Sequence, residues 1–266
     1  MKTRIPRSNL VAVLSLLAIG LAIGRFLFAA DQKHARVTEV VQDVRLLAGQ
    51  NAARPASLND TVNEGTAVRT GSDSRAELTF LDRTLTRLGA NTVFSFGAGA
   101  HTYDLGSGAI LMSAPPQAGT IKINTAVATC AVSGFTAIFE RHSNTWNKFL
   151  LLHGNGYVTI KGLATEPCQL HGGQMVVFPP HPVRCPQVLD IDISKLLDGK
   201  LIKGFKTQLP EFNLILTDIK NQGPPPGGGG LVDPTNQNSL DQAMTAHMEH
   251  STPAPQPTII PTGRPF

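Results

Sequence analysis

Charge is scarce in this chain, and signatures of catalysis are scarcer. Only 16% of its 266 residues are Asp, Glu, Lys or Arg, against about 25% in an average soluble domain. The first 30 residues contain no acid at all. They hold Lys2, Arg4, Arg7 and Arg25, which leaves 19 bases and 19 acids for residues 31–266. The net charge of +4 therefore belongs to the N-terminal segment, and the body is neutral. Nucleic-acid binding through a broad basic surface is excluded, because neutralising phosphates needs a clustered excess of positive charge. The chain has no Gly-x-Ser-x-Gly elbow, P-loop, dinucleotide fingerprint or His-Glu-x-x-His pair. The common hydrolase nucleophile, nucleotide cradle and zinc-protease site go with them, and no cofactor is expected. A hydrolase of unrecognised type is the remaining enzyme reading, and it would need convergent polar groups in a deep pocket.

What is present begins at the N-terminus. Lys2, Arg4 and Arg7 precede Leu10 to Gly24, a run of 15 uncharged residues. A positive start and an apolar core describe a secretory signal. Ala22-Ile23-Gly24 and Phe28-Ala29-Ala30 offer small-residue cleavage exits. Uncleaved, Leu10 to Ala30 is 21 residues and long enough to anchor in a bilayer. Residues 1–30 are thus a signal peptide or a membrane anchor, and both readings place the body in the periplasm or outside the cell. No cytoplasmic domain is expected, and contact with membrane is expected only through residues 10–30.

Residues 31–185 read as many short strands. Ala76 to Phe80 alternates, with Ala76, Leu78 and Phe80 on one face and Glu77 and Thr79 on the other. Ile121 to Asn124 and Tyr157 to Ile160 repeat the pattern. Between such runs lie turn signals, among them Glu64-Gly65, Gly106-Ser107-Gly108, His153-Gly154-Asn155-Gly156 and His171-Gly172-Gly173. Asn155-Gly156 in particular predicts a tight hairpin. Strands at this spacing, with no helix between them, predict a mainly β sandwich, roll or solenoid.

Residues 186–222 predict a small α/β cap on the end or flank of that body. Val188 to Ile193 alternates once more, with Asp190 and Asp192 as polar partners. Leu209-Pro210-Glu211 predicts a helix start. Phe212, Ile215, Leu216 and Ile219 continue at helical spacing, and Gly223 stops the helix. Residues 223–266 hold nine of the 19 prolines and six of the 25 glycines, so a disordered tail is expected. Leu240, Met244 and Met248 could mark one side of a short helix in it.

The order of strands carries a resemblance. Glu64 to Gly71 leads into Ser74 to Phe80, then Asp82-Arg83-Thr84, then Arg87 to Thr92. Downstream come Ile123 to Ala128, Val132 to Phe135, Leu152 to Val158 and Leu170 to Gln174. This ordered set resembles the FecR family over roughly residues 37–180. The resemblance implies a compact β-solenoid or β-roll domain in the periplasm or at the cell surface, without catalytic residues. Two positions depart from the pattern: Arg83 stands where glycine is usual, and Phe135 where threonine is usual. Arginine does not readily take positive φ, so the 82–84 turn is expected to change type. The iron-dicitrate sensor of the family carries a cytoplasmic sigma-factor-binding region; none is expected here, so that regulatory role is not expected to carry over.

One cluster has sharp chemistry: Cys168-x2-His171-x9-His181-x3-Cys185. Two cysteines and two histidines at these spacings could close a tetrahedral zinc site. In an oxidising compartment two nearby cysteines more often pair, so a Cys168–Cys185 disulfide is the first reading. Free thiols and zinc on Cys168, His171, His181 and Cys185 remain alternatives. Cys130 reads as a small core residue. His101 and Asp104 would point to opposite faces of a strand. Asp190 and Asp192 read as a solvated strand face. Together these readings predict an exported, non-catalytic binding or scaffold module of the cell envelope, with a protein or glycan partner. A periplasmic sensor component signalling to a membrane partner is the alternative.

Overall fold

A computed structural model describes residues 34–49, 52–97, 101–142, 145–223 and 231–236, with Asn238 and Asp241 besides. The N-terminal segment 1–30 and most of the 223–266 tail, including Leu240, Met244 and Met248, lie outside the described residues.

The fold is mainly β. Strands run β1 (His34–Val41), β2 (Val44–Ala48), β3 (Arg54–Pro55), β4 (Thr61–Asn63), β5 (Thr66–Thr70), β6 (Arg75–Phe80), β7 (Leu85–Leu88) and β8 (Val93–Phe96). They continue with β9 (Thr102–Ala114), β10 (Ile121–Asn124), β11 (Ala128–His142), β12 (Trp146–Ile160), β13 (Cys168–His171), β14 (Gln174–Phe178) and β15 (Leu189–Asp190). Two helices follow, α1 (Lys200–Lys203) and α2 (Phe212–Asn221).

All 15 strands belong to one open sheet, and the long strands β9, β11 and β12 are shared between its two halves. The first part of β9 pairs with β8 and β10, and the second part with β7 and β11. Likewise β12 pairs with β14 near its start and with β13 near its end. The halves fold over each other. Phe80 of β6 meets Phe96 of β8 at 5.1 Å and Tyr103 of β9 at 5.2 Å between ring centres. Of the sandwich, roll or solenoid expected from strand spacing, the strand order establishes the mainly β class, built as one open sheet.

The change of partner happens at glycines read from sequence as turns. Gly108 has φ +81° inside β9, and Gly154 has φ +96° inside β12. A Cβ on Gly154 would sit 2.5 Å from the Gly134 carbonyl oxygen, where β11 bends beside it. These glycines bend strands without ending them, because the neighbouring strand bends at the same level. The hairpin expected at Asn155-Gly156 is therefore absent, and both residues pair with β11 and β13.

The inner face of the fold holds one core, including Leu78, Phe94, Tyr103, Ile123, Phe139 and Phe149. A second core lies on the outer face. There Leu111, Ile138, Leu150 and Met175 of the sheet meet Ile191, Ile193, Ile202 and Ile215 of the C-terminal segment. Residues 147–152 are consequently all buried, as in a strand covered on both faces. The C-terminal segment thus lies on a sheet face, where the sequence predicted an end or flank. Helix α2 forms where predicted, with Ile215 buried. The alternating strand predicted over Val188–Ile193 shortens to β15, and Asp192 instead caps a 3-10 turn at Ile193–Leu196.

A buried ion pair fastens this segment. Glu77 and Arg87 side chains are 3% and 0% exposed, with Arg87 Nε 2.9 Å from Glu77 Oε2. Arg87 also donates to the carbonyls of Leu201 and Ile202 at 3.2 and 2.9 Å, and to that of Thr207. Its guanidinium lies 4.5 Å from the Phe205 ring centre. Thr38 and Thr207 hydroxyls donate to Glu77, and Glu39 accepts from the Lys206 N–H at 3.0 Å. The face of Ala76–Phe80 opposite the inner core is therefore covered at Glu77, by residues about 130 positions away.

Residues 231–236 depart from the disordered tail expected after 223. Val232 pairs in parallel with Ile191, and Pro234 is buried. An apolar strip on the outer face is what makes this short stretch dock: Val232 packs on the second core.

Candidate functional site

Strands β11 and β12 pair as far as His142 and Trp146. His142 and Trp146 are cross-strand partners there, with ring centres 4.0 Å apart. Strand alternation sends residues 140 and 148 to the outer face and 141 and 147 to the inner face, while His142 and Trp146 at the strand ends border both sides. Each face opens into a groove.

The outer groove has a volume of about 410 Å³ and runs between the hairpin and the C-terminal segment. Ile138, Trp146, Leu201 and Ile202 form its apolar walls. Lys148 lies 3.1 Å from Glu140, donates to the Pro234 carbonyl at 3.3 Å, and stands 5.3 Å from the Trp146 ring centre. The docked 231–236 segment thus forms part of this groove.

The inner groove measures about 470 Å³ and lies between the two sheet halves. Arg141, Trp146, Asn147, Val127, Pro180 and His181 line it. Arg141 Nη1 donates to the Leu105 carbonyl at 3.2 Å, which holds the guanidinium in place. Asn147 is 8% exposed, and its Oδ1 is buried without a hydrogen-bond partner. Of these, His181 was singled out from sequence, as a candidate zinc ligand, whereas Arg141, Trp146 and Asn147 were not. The chain's single tryptophan was the available signal, and it becomes informative only when the hairpin places it between two grooves.

The cysteine–histidine cluster resolves into structure. Cys168 and Cys185 form a disulfide, with Cα atoms 5.6 Å apart. Both sulfurs are committed, so neither is a thiolate for zinc, and His171 Nδ1 instead lies 3.0 Å from Asn155 Oδ1. No group of three or more His, Cys, Asp or Glu placed to hold a metal occurs among the described residues. The bridge ties the loop after β14, which carries Pro180 and His181, to β13. Cys130 is buried, and burial pushes its thiol far above the ordinary range. His101 Nδ1 lies 3.6 Å from Asp82, while Asp104 accepts from Asn124. Asp190 accepts from Gln174, and Asp192 from Ser194. The two are engaged separately.

The turn at Arg83 keeps the backbone of a glycine turn. Arg83 has φ +71°, Phe80 and Thr84 close the hairpin at 2.9 Å, and Asp82 accepts from the Thr84 N–H and hydroxyl at 2.8 Å each. The change of turn type expected there does not occur. Phe135 is fully buried in the inner core.

Residues 66–155 match the family described as FecR protein. This segment is a FecR domain. It runs from the start of β5 into β12, so it includes the β11–β12 hairpin, Glu77 and Arg87. The FecR domain excludes β1–β4, the disulfide and the covering C-terminal segment. No curated protein matches the chain. Two crystal structures of a candidate anti-sigma factor from Parabacteroides distasonis ATCC 8503, at 2.50 and 1.65 Å resolution, are similar at 12% identity and TM-score 0.41. The first likeness covers 50% of this chain and 64% of that one, and the second covers 68% and 90%. The chain thus spans less than two thirds of the first structure. No helix among the described residues is long and apolar enough to cross a membrane.

Proposed function

We propose that this chain is a non-catalytic sensor module of the cell envelope. It binds at the β11–β12 hairpin of its FecR domain and signals to an envelope partner. One observation carries the reading: the hairpin bearing Trp146, with a groove on each side, lies inside the matched FecR segment. Two features support the compartment. The basic, then apolar, residues 1–30 have the form of a signal peptide or anchor, and the Cys168–Cys185 bridge suits an oxidising environment.

Two measurements test this. Alkaline phosphatase fused after residue 40 in the native host should be active, whereas the same fusion lacking residues 1–30 should not. Deleting the coding sequence should change transcription of a defined gene set. The wild-type chain should restore it, and a folded Trp146→Ala chain should not. Unchanged transcription on deletion sinks the sensor reading.

A further inference from the structure

We propose that the inner groove binds a sugar acid. The proposal rests on the sensor reading and deepens it by naming the ligand class. Its volume of about 470 Å³ lies within the range of roughly 300–1,000 Å³ typical of small-ligand sites.

Three features of the groove ask for different parts of one ligand. The first is an acceptor lacking a donor. Asn147 Oδ1 is buried and unpartnered at a residue that is 8% exposed. An unmatched buried acceptor carries a desolvation penalty, and a ligand hydroxyl removes it. The second is a held cation. Arg141 is the direct cross-strand partner of Asn147. Opposed residues on one face of an antiparallel pair keep their Cβ atoms about 4.5–5.5 Å apart. No carboxylate lines this groove among the described residues, so Arg141 has no internal acid there to neutralise it. A guanidinium fixed by the Leu105 carbonyl is arranged to take a carboxylate. The third is an apolar wall. Trp146, Val127 and Pro180 give surfaces against which the C–H face of a sugar ring can pack.

A neutral sugar meets the first and third demands but leaves Arg141 unmatched. A simple carboxylate meets only the second. A uronic acid ring carries a carboxylate, hydroxyl donors and an apolar face on one rigid frame, so it meets all three. One row deeper on the same face, Phe139 and Phe149 stack at 4.8 Å in the inner core.

The test titrates the purified full chain with galacturonate, glucuronate, galactose and acetate. Calorimetry and the emission of Trp146, the single tryptophan, are the two readouts. At least one uronate should bind saturably and shift the emission. Galactose should bind at least about tenfold more weakly, and acetate should not bind, as expected when a charged hydrogen bond is removed. Asn147→Leu and Arg141→Gln should each weaken uronate binding by about tenfold or more. Should either variant fail to fold, the selectivity of the wild-type chain decides alone. Galactose binding as well as the uronates, or no saturable binding of either uronate, overturns the proposal. A chain that ignores uronates but whose deletion still changes transcription loses this ligand and keeps its sensor role.

Discussion

Replacing Arg87 by methionine probes the fastening of the C-terminal segment directly. The side chain is fully buried and serves Glu77, three carbonyl groups and the face of Phe205. Methionine keeps much of the packing and removes every donor. Glu77 would then remain a buried carboxylate supported only by the Thr38 and Thr207 hydroxyls. Removing one partner of a buried pair costs about 3–5 kcal/mol. For a domain of this size each kcal/mol moves Tm by roughly 2–4 °C, so a loss of about 4 kcal/mol lowers Tm by about 8–16 °C. Glu77→Gln should cost less, because Arg87 retains its three carbonyl acceptors. The double variant Arg87→Met with Glu77→Leu should be more stable than Arg87→Met alone, since no charge is left buried without a partner. Urea unfolding followed by circular dichroism provides the energies. An Arg87→Met chain within about 1 kcal/mol of wild type would refute the reasoning, because that is the range of surface changes rather than of a buried cation.

Other substitutions test separate features. Arg83→Gly should stabilise the protein by up to about 1 kcal/mol, since φ +71° strains arginine and not glycine; a fall in Tm would contradict it. Replacing both Cys168 and Cys185 by alanine should cost about 3 kcal/mol for a bridge of sequence separation 17. Peptide mapping without reduction should link the two peptides and leave Cys130 unmodified by thiol reagents until unfolding. Truncation after Gly223 should lower stability by about 1–2 kcal/mol, through loss of the Val232 packing and of the Lys148 bond to Pro234. Equal melting of truncated and full chains would show that residues 231–236 contribute nothing.

Local patterns in the sequence predicted local structure well, and long-range cover not at all. Alternation at Ala76–Phe80 places Leu78 and Phe80 in the inner core, and helical spacing at Phe212–Ile219 places α2. For Glu77, alternation reports only that it faces away from the inner core. What covers it arrives from Thr207, which no local window contains. Glycine was misread at Gly108 and Gly154 for a related reason. A positive φ permits a turn or a bend, and the choice depends on whether the neighbouring strand bends as well. The disulfide was legible because compartment and spacing both bear on it. The grooves were not, because Arg141, Trp146 and Asn147 acquire meaning only from the face each occupies and from what stands opposite.

The fastening by Arg87 has a consequence for how the chain reaches its native state. Glu39 and Lys206 are separated by 167 positions, and Arg87 and Thr207 by 120. During synthesis or passage across a membrane, the strands carrying Glu39, Glu77 and Arg87 emerge long before the segment that neutralises and covers them. Until Thr207 arrives, an apolar sheet face with a charged pair at its centre is open to water. Contacts of such sequence separation are slow to form, because loop-closure entropy is spent before they reward it. Completion of the fold is therefore a late event. A chaperone able to shield the outer face of β6, β7 and β12 in the interval would raise the yield of native protein more than one acting on the hairpin tip.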